Sequence, residues 1–195
     1  GHGLNAVPEF AIFKDRDTTR GWAIYHKDVD PKVLDFTTSS AIQSQEQFNE
    51  TTPTSSVFTL GSGGRTNQNG SDVIAYCWSE VSGFSKFNTY SGGTANQTIS
   101  TGFKPRYLLI KRTDAANSWL IFDSARGVNK VLKTETNGSE TTASSGLDEI
   151  EFLDDGFKLI STNNGINGSG GTYIYAAFAA KPSGEIIDSL IDTPT

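Results

Sequence analysis

The sequence predicts an all-β fold of antiparallel β-sandwich units, internally duplicated and with little helix, and three observations point to it. Its 195 residues carry 20 Gly alongside 12 Phe, 6 Tyr and 3 Trp, which joins turn formers to the bulky residues that sit best on a pleated surface. Short apolar runs alternate with connections rich in Gly, Asn, Ser and Thr, and the runs return in the same order at a spacing of 97 to 100 positions. Two sheets covering each other's apolar faces are the simplest way to bury such strands. A chain of this length also buries a core without a metal or disulfide to staple it.

The elements follow in order. Pro8-Glu9-Phe10-Ala11-Ile12-Phe13-Lys14 returns as Pro105-Arg106-Tyr107-Leu108-Leu109-Ile110-Lys111. Residues 9–14 and 106–111 read as strands, with each proline ahead of the strand rather than inside it. The polar stretches 15–21 and 112–118 read as hairpin connections. Eight positions beyond each lysine, Trp22 opens Trp-Ala-Ile-Tyr and Trp119 opens Trp-Leu-Ile-Phe; Lys32-Val33-Leu34 is then echoed by Lys130-Val131-Leu132. Residues 57–60 and 157–160 are short and mixed, which predicts strands with one wet and one buried face. Residues 72–80 and 172–180 are nearly continuous apolar runs, which predicts central strands covered on both sides. The alanines of 175–180 also fit a helix, but Tyr173, Ile174 and Tyr175 favour a strand. Trp22 and Trp119 share one repeat position and are expected in the core, as is Trp78, whose counterpart is Phe178.

A repeat of this kind means one folding solution used twice. The boundary falls between Ser82 and Gly93, giving a first β-rich repeat at 1–82, a second at 83–183, and a C-terminal extension or linker at 184–195. The aromatic spacing of Gly83-Phe84-Ser85-Lys86-Phe87-Asn88-Thr89-Tyr90 predicts a strand that opens the second unit. The first unit shows no counterpart before Gly1-His2-Gly3-Leu4, which corresponds to Ser100-Thr101-Gly102-Phe103. The expectation is a first unit without its leading strand, leaving an edge unpaired or filled by another part or copy of the protein. Helix is expected only at 41–50, as two short turns with surface loop as the alternative, and at 184–192, where Ile186, Ile187, Leu190 and Ile191 share an apolar side.

The charge is -6, from 22 acidic and 16 basic side chains with no basic stripe, which argues against a nucleic-acid partner because phosphate neutralisation needs Lys and Arg. No apolar run approaches the roughly 18 residues that cross a bilayer as a helix, so no membrane insertion is expected. The single Cys77 excludes an intrachain disulfide and reads as a small buried hydrophobe between Tyr76 and Trp78. His2 and His26 make no metal-binding spacing and sit beside no identified nucleophile. Asp15, Asp17, Asp28 and Asp30 are crowded, as are Asp148, Glu149, Glu151, Asp154 and Asp155; they match neither a twelve-residue calcium loop nor a glycosidase pattern, and solvated loops are the expectation. The Gly-rich stretches 61–64 and 165–171 lack the lysine of a phosphate loop and read as turns before the last strand of each unit. No catalytic residue, metal or cofactor is expected. Loop tips on a rigid scaffold are the candidate binding positions: Asp15, Asp17, His26, Asn67, Asn69, Asp114, Asn117, Asn163, Asn164 and Asn167.

Beyond these residue-level readings, the chain resembles a domain found in tail-fibre and structural proteins of tailed, often marine, bacteriophages. The likeness covers about residues 1–183 and rests on an ordered set: Gly1-His2-Gly3-Leu4 with Pro8; Ile12-Phe13-Lys14 with Trp22-Ala23-Ile24-Tyr25-His26; Ile74-Ala75-Tyr76-Cys77-Trp78 with Gly83-Phe84-Ser85-Lys86-Phe87; Gly102-Phe103-Lys104-Pro105 through Ile110-Lys111-Arg112; and Gly170-Gly171-Thr172 through Phe178. Phe13 and Trp78 stand where the family usually has Val and Phe. The resemblance implies a virion appendage component, located in the tail or fibre, that attaches without catalysis to a bacterial surface glycan or envelope component. It further implies contacts with other virion tail proteins and a homo-oligomer, for which a trimer is the usual fibre state. A structural spacer without ligand and a polysaccharide depolymerase fragment are the alternatives.

Overall fold

The computed structural model describes residues 1–30, 32–41, 46–142 and 148–180. The helix expected at 184–192, and 42–45 of the one considered at 41–50, lie outside the described residues. The fold is antiparallel β throughout. Strands β1 (Phe10–Asp15), β2 (Ala23–His26), β3 (Leu34–Asp35) and β4 (Val73–Trp78) form one sheet in the order β3-β2-β1-β4. After β5 (Ser85–Ser91) and β6 (Gln97–Ser100) come β7 (Pro105–Arg112), β8 (Trp119–Asp123), β9 (Lys130–Lys133), β10 (Thr141–Thr142), β11 (Ile150–Leu153), β12 (Gly156–Leu159) and β13 (Thr172–Ala179). They build a six-stranded sheet, β10-β9-β8-β7-β13-β5, and a three-stranded one, β11-β12-β6. A single 3-10 turn at Lys27–Val29 is the helical element among the described residues.

The four-stranded sheet and the centre of the six-stranded sheet share a register. Phe10 lies opposite His26 on one side and Trp78 on the other; Tyr107 lies opposite Asp123 and Phe178. Ala23 meets Asp35 as Leu120 meets Lys133. Because side chains alternate along a strand, this register decides which residues face which layer. Phe10, Ile24 and Leu34 of the first sheet meet Phe87, Leu109, Trp119, Ile174 and Ala176 of the second in one cluster. Rings interlock across this seam: Phe10 stacks on Phe87 at 5.6 Å, Phe36 meets Trp119 edge-on at 4.7 Å, and Trp78 reaches Phe178 at 6.2 Å.

The opposite faces are covered differently. On the six-stranded sheet, Leu108, Ile110, Leu120, Phe122 and Tyr175 are roofed by Ile99, Phe152, Phe157 and Leu159 of the small sheet. On the four-stranded sheet, Ala11, Phe13, Ala23 and Tyr25 are roofed by Phe48, Phe58 and Leu60 from connecting chain. Here two expectations are corrected. Residues 57–60 join no ladder, since among the described residues no strands flank them as β11 and β6 flank β12. The run 72–80 does not form a central strand: β4 ends its sheet, with Ile74 38% and Tyr76 46% exposed, whereas β13 is held between β7 and β5. Trp119 is buried as expected, while Trp22 and Trp78 are half-buried against the seam.

Candidate functional site

The candidate residues divide by what their polar atoms already hold. Asp15 is buried and accepts the Asp17 N–H at 2.9 Å and the Thr18 hydroxyl at 2.8 Å, closing the β1–β2 hairpin. Asp17 accepts the Asp72 N–H at 2.6 Å, and Asp114 likewise accepts the Thr172 N–H at 3.0 Å. Asp114 also takes two bonds from Arg112, 2.9 and 3.0 Å, and this guanidinium holds its carboxyl down at about 2. Arg112 donates a third bond to Asn164 Oδ1 at 3.1 Å and lies over the Tyr173 ring. Asn163 Oδ1 accepts the Gly165 N–H at 2.7 Å. Asn167 is fully buried, donating to the Thr94 and Ser161 carbonyls and accepting the Gly93 N–H.

Asp114, Asn163, Asn164 and Asn167 therefore converge and clasp the Gly-rich connection onto the sheet, with Asn167 buried and Asp114 and Asn164 exposed. The residue types that cap turns are the same ones that bind sugars, so sequence alone does not separate the roles. Asn117 serves through its backbone: its carbonyl takes the Lys111 ammonium at 2.8 Å, and its N–H donates to Ser39 at 2.8 Å. Burial pushes that lysine down to about 8. His26 is corrected from a loop-tip position to a buried one at the seam. Its Nε2–H donates to the Tyr175 carbonyl at 3.1 Å and Nδ1 accepts the Asp28 N–H at 3.2 Å. Burial pulls this imidazole down to about 4.

Asn67 and Asn69 remain exposed. Asn67 donates to the Gly61 carbonyl at 2.8 Å, as Asn167 does to Ser161, but among the described residues nothing corresponding to Thr94 and Gly93 closes over it. It opens instead on a polar cleft of about 670 Å³, walled by Glu46, Asn49, Glu50, Gly61 and Ser62. The wall is tightly built. Gly61 N–H donates to the Gln47 carbonyl at 3.1 Å and Gly63 N–H to the Glu46 carbonyl at 3.2 Å, and Ser62 donates its hydroxyl to the Glu46 carboxylate. A Cβ at Gly61 would stand 1.9 Å from the Glu46 carbonyl oxygen, so only glycine permits this approach. On the rim, Asn49 and Glu50 hold φ of 49° and 46°, left-handed values that cost energy in non-glycine residues and cluster at functional sites. Glu46, Asn49, Glu50 and Ser62 were not candidates from sequence, because nothing local shows that 46–50 folds against 61–67.

A second cavity, about 420 Å³, adjoins β4 between Phe13, Phe58, Leu60, Val73, Ala75 and Cys77. Burial raises the Cys77 thiol, leaving it a thiol rather than a reactive thiolate. Among the described residues no three His, Cys, Asp or Glu side chains are grouped to hold a metal ion. Of the later acidic residues, Asp154 is paired with Lys104, Glu151 with Lys158 and Asp155 with the Ser100 hydroxyl, while Asp148 Oδ1 is buried without a hydrogen-bond partner among the described residues.

Fold and cleft define a class: a layered antiparallel β protein with a polar surface recess on a rigid scaffold. The chain belongs to the family described as Domain of unknown function (DUF7483), whose model matches residues 1–182. No curated protein and no solved structure matches it.

Proposed function

We propose that this chain is a non-catalytic module of a bacteriophage tail fibre or related virion appendage, and that it contributes to host attachment by holding a surface glycan in the cleft at Glu46, Asn49, Glu50, Ser62 and Asn67. The observation that carries the binding is the cleft itself, where amide, hydroxyl and carboxylate groups converge on an open recess of about 670 Å³. Such groups hydrogen-bond sugar hydroxyls, and a rigid β scaffold behind them lowers the ordering cost of binding. The virion setting rests on the sequence resemblance. A weak site repeated in an oligomer would gain from avidity.

The test is adsorption competition on host cells with the purified chain and with an Asn49→Gly/Glu50→Gly variant, which keeps the left-handed backbone accessible while removing both rim side chains. Saturable competition is expected, weakened about tenfold or more in the variant, equivalent to about 1.4 kcal/mol. Competition that is absent, or unchanged by the variant, would contradict binding at this cleft. One observation favours a second reading, a spacer or assembly domain without ligand: Asp114, Asn163, Asn164 and Asn167 all hold the chain's own loops. Absence of competition is the result the spacer predicts.

A further inference from the structure

We propose that the outer edge of β4, unpaired among the described residues, docks an extended strand of another polypeptide, which pairs antiparallel with Val73–Trp78 and sets an aromatic ring into the adjoining cavity. This inference is independent of the glycan reading, since it concerns a different edge and a different cavity.

The backbone direction comes first. Trp78 and Asp72 give their carbonyls to Glu9 and Arg16 on the β1 side. Backbone groups alternate sides along a strand, so those of Val73, Ala75 and Cys77 face outward. Proteins blunt such edges with charge, proline or a bulge. β4 has six residues, none charged and none proline, and pairs with β1 in unbroken register. Its Ile74 and Tyr76 are exposed apolar side chains.

The chain itself shows what such an edge accepts. β13 holds the matching place in the six-stranded sheet, and its outer side is paired with β5: Tyr173 opposite Tyr90, Tyr175 opposite Asn88, Ala177 opposite Lys86. Gly92 N–H donates to Gly171 and Ala179 N–H to Phe84 at the two ends of this pairing. The Tyr90 ring stacks on Tyr173 at 5.0 Å and reaches Phe157 at 6.2 Å. In the four-stranded sheet the corresponding positions are Val73 and Phe58, and between them lies the 420 Å³ cavity. Small residues, Val73 and Ala75, replace Tyr173 and Tyr175 there, so the space for a ring is larger. Asp72 flanks the edge with negative charge on a chain of net charge -6, whereas Glu80 at the other end is held by Lys86 and Lys27. The complementary occupant is a neutral-to-basic strand that turns one large ring towards the cavity, as β5 turns Tyr90 to that face and Phe87 to the seam, with Lys86 and no acidic residue.

The probe is a synthetic peptide of sequence Gly83 to Gly93, titrated into the full chain and followed by amide hydrogen exchange. Saturable binding is expected, with new protection at Val73, Ala75 and Cys77. Ala75→Pro removes one outward donor at a position where an edge strand tolerates proline, and should weaken binding about tenfold. A Tyr90→Ala peptide should weaken it similarly, and a peptide N-methylated at the pairing amides tests the same bonds on the unaltered protein. The proposal is overturned by absence of binding, or by binding that survives Ala75→Pro and peptide N-methylation, which would mean exchange with β5 at β13. Protection of those amides in the free monomer, or a dimer formed through β4 in place of peptide binding, overturns it equally.

Discussion

Trp119→Ala is expected to lower the stability of the fold by about 4 kcal/mol, in the range measured when a buried large aromatic is truncated in a core. The indole is 1% exposed in the seam between the two large sheets. It packs edge-on against Phe36, and its Nε1–H donates to the Asp35 carbonyl at 2.8 Å, tying β8 to β3 across the seam. Truncation removes the transfer energy of the ring, leaves a cavity, and strands a carbonyl whose lost partner adds about 1 kcal/mol or more. Trp119→Phe restores much of the packing but not the bond, so an intermediate loss is expected. Trp22, its half-buried counterpart on the other sheet, should tolerate alanine better. Urea unfolding at neutral pH measures all three. A Trp119→Ala loss below about 1 kcal/mol would mean that the sheets are not joined through this side chain.

His26 is expected to make the protein lose stability as the solution is acidified. Its folded-state pKa of about 4 lies below its ordinary 6.5. Above about pH 6.5 the ring is neutral in both states and its contribution is full. As pH falls from 6.5 towards 4, the unfolded chain takes up a proton that the folded chain refuses, and stability drops. Below about 4 both states are protonated and this group adds no further change. A shift of this size corresponds to a loss of about 3 kcal/mol. The groups around it act in opposition. Burial and the Lys27 charge disfavour imidazolium, while the Tyr175 carbonyl favours it and the Asp28 carboxylate stands 3.6 Å from Nδ1. Carboxylates titrate in the same window, so the readout is the difference between the unaltered chain and His26→Gln in chemical denaturation at pH 7 and pH 4.5. Parallel curves would contradict the buried neutral histidine.

Much of the architecture is written in local pattern. Pro8 and Pro105 with the runs behind them, the polar hairpin stretches, and the tryptophan eight positions after each lysine mark β1, β2, β7 and β8, because apolar runs bounded by turn formers leave few alternatives to a strand. The environment of β4 is not written there. Residues 72–80 are as apolar as 172–180, and apolarity records what side chains seek rather than whether a neighbouring strand exists; β5 supplies that neighbour to β13 alone. Val57 to Leu60 shows the same gap, with Phe58, Thr59 and Leu60 partly buried but in no ladder. The site was less legible still. Asn67 was visible as a turn residue, but its cleft depends on Glu46 and Ser62 meeting across the chain. His26 reads as a loop-tip residue, and only the seam with Tyr175 explains its burial.

Attachment through the cleft is tested most directly by NMR titration of the isotope-labelled chain with surface polysaccharide from the host cells, with polymer length followed in the same samples. Shifts concentrated at Glu46, Asn49, Glu50, Ser62 and Asn67, with the polymer left intact, are the expected result. Shortened polysaccharide, perturbation centred elsewhere, or no perturbation at saturating sugar would contradict it.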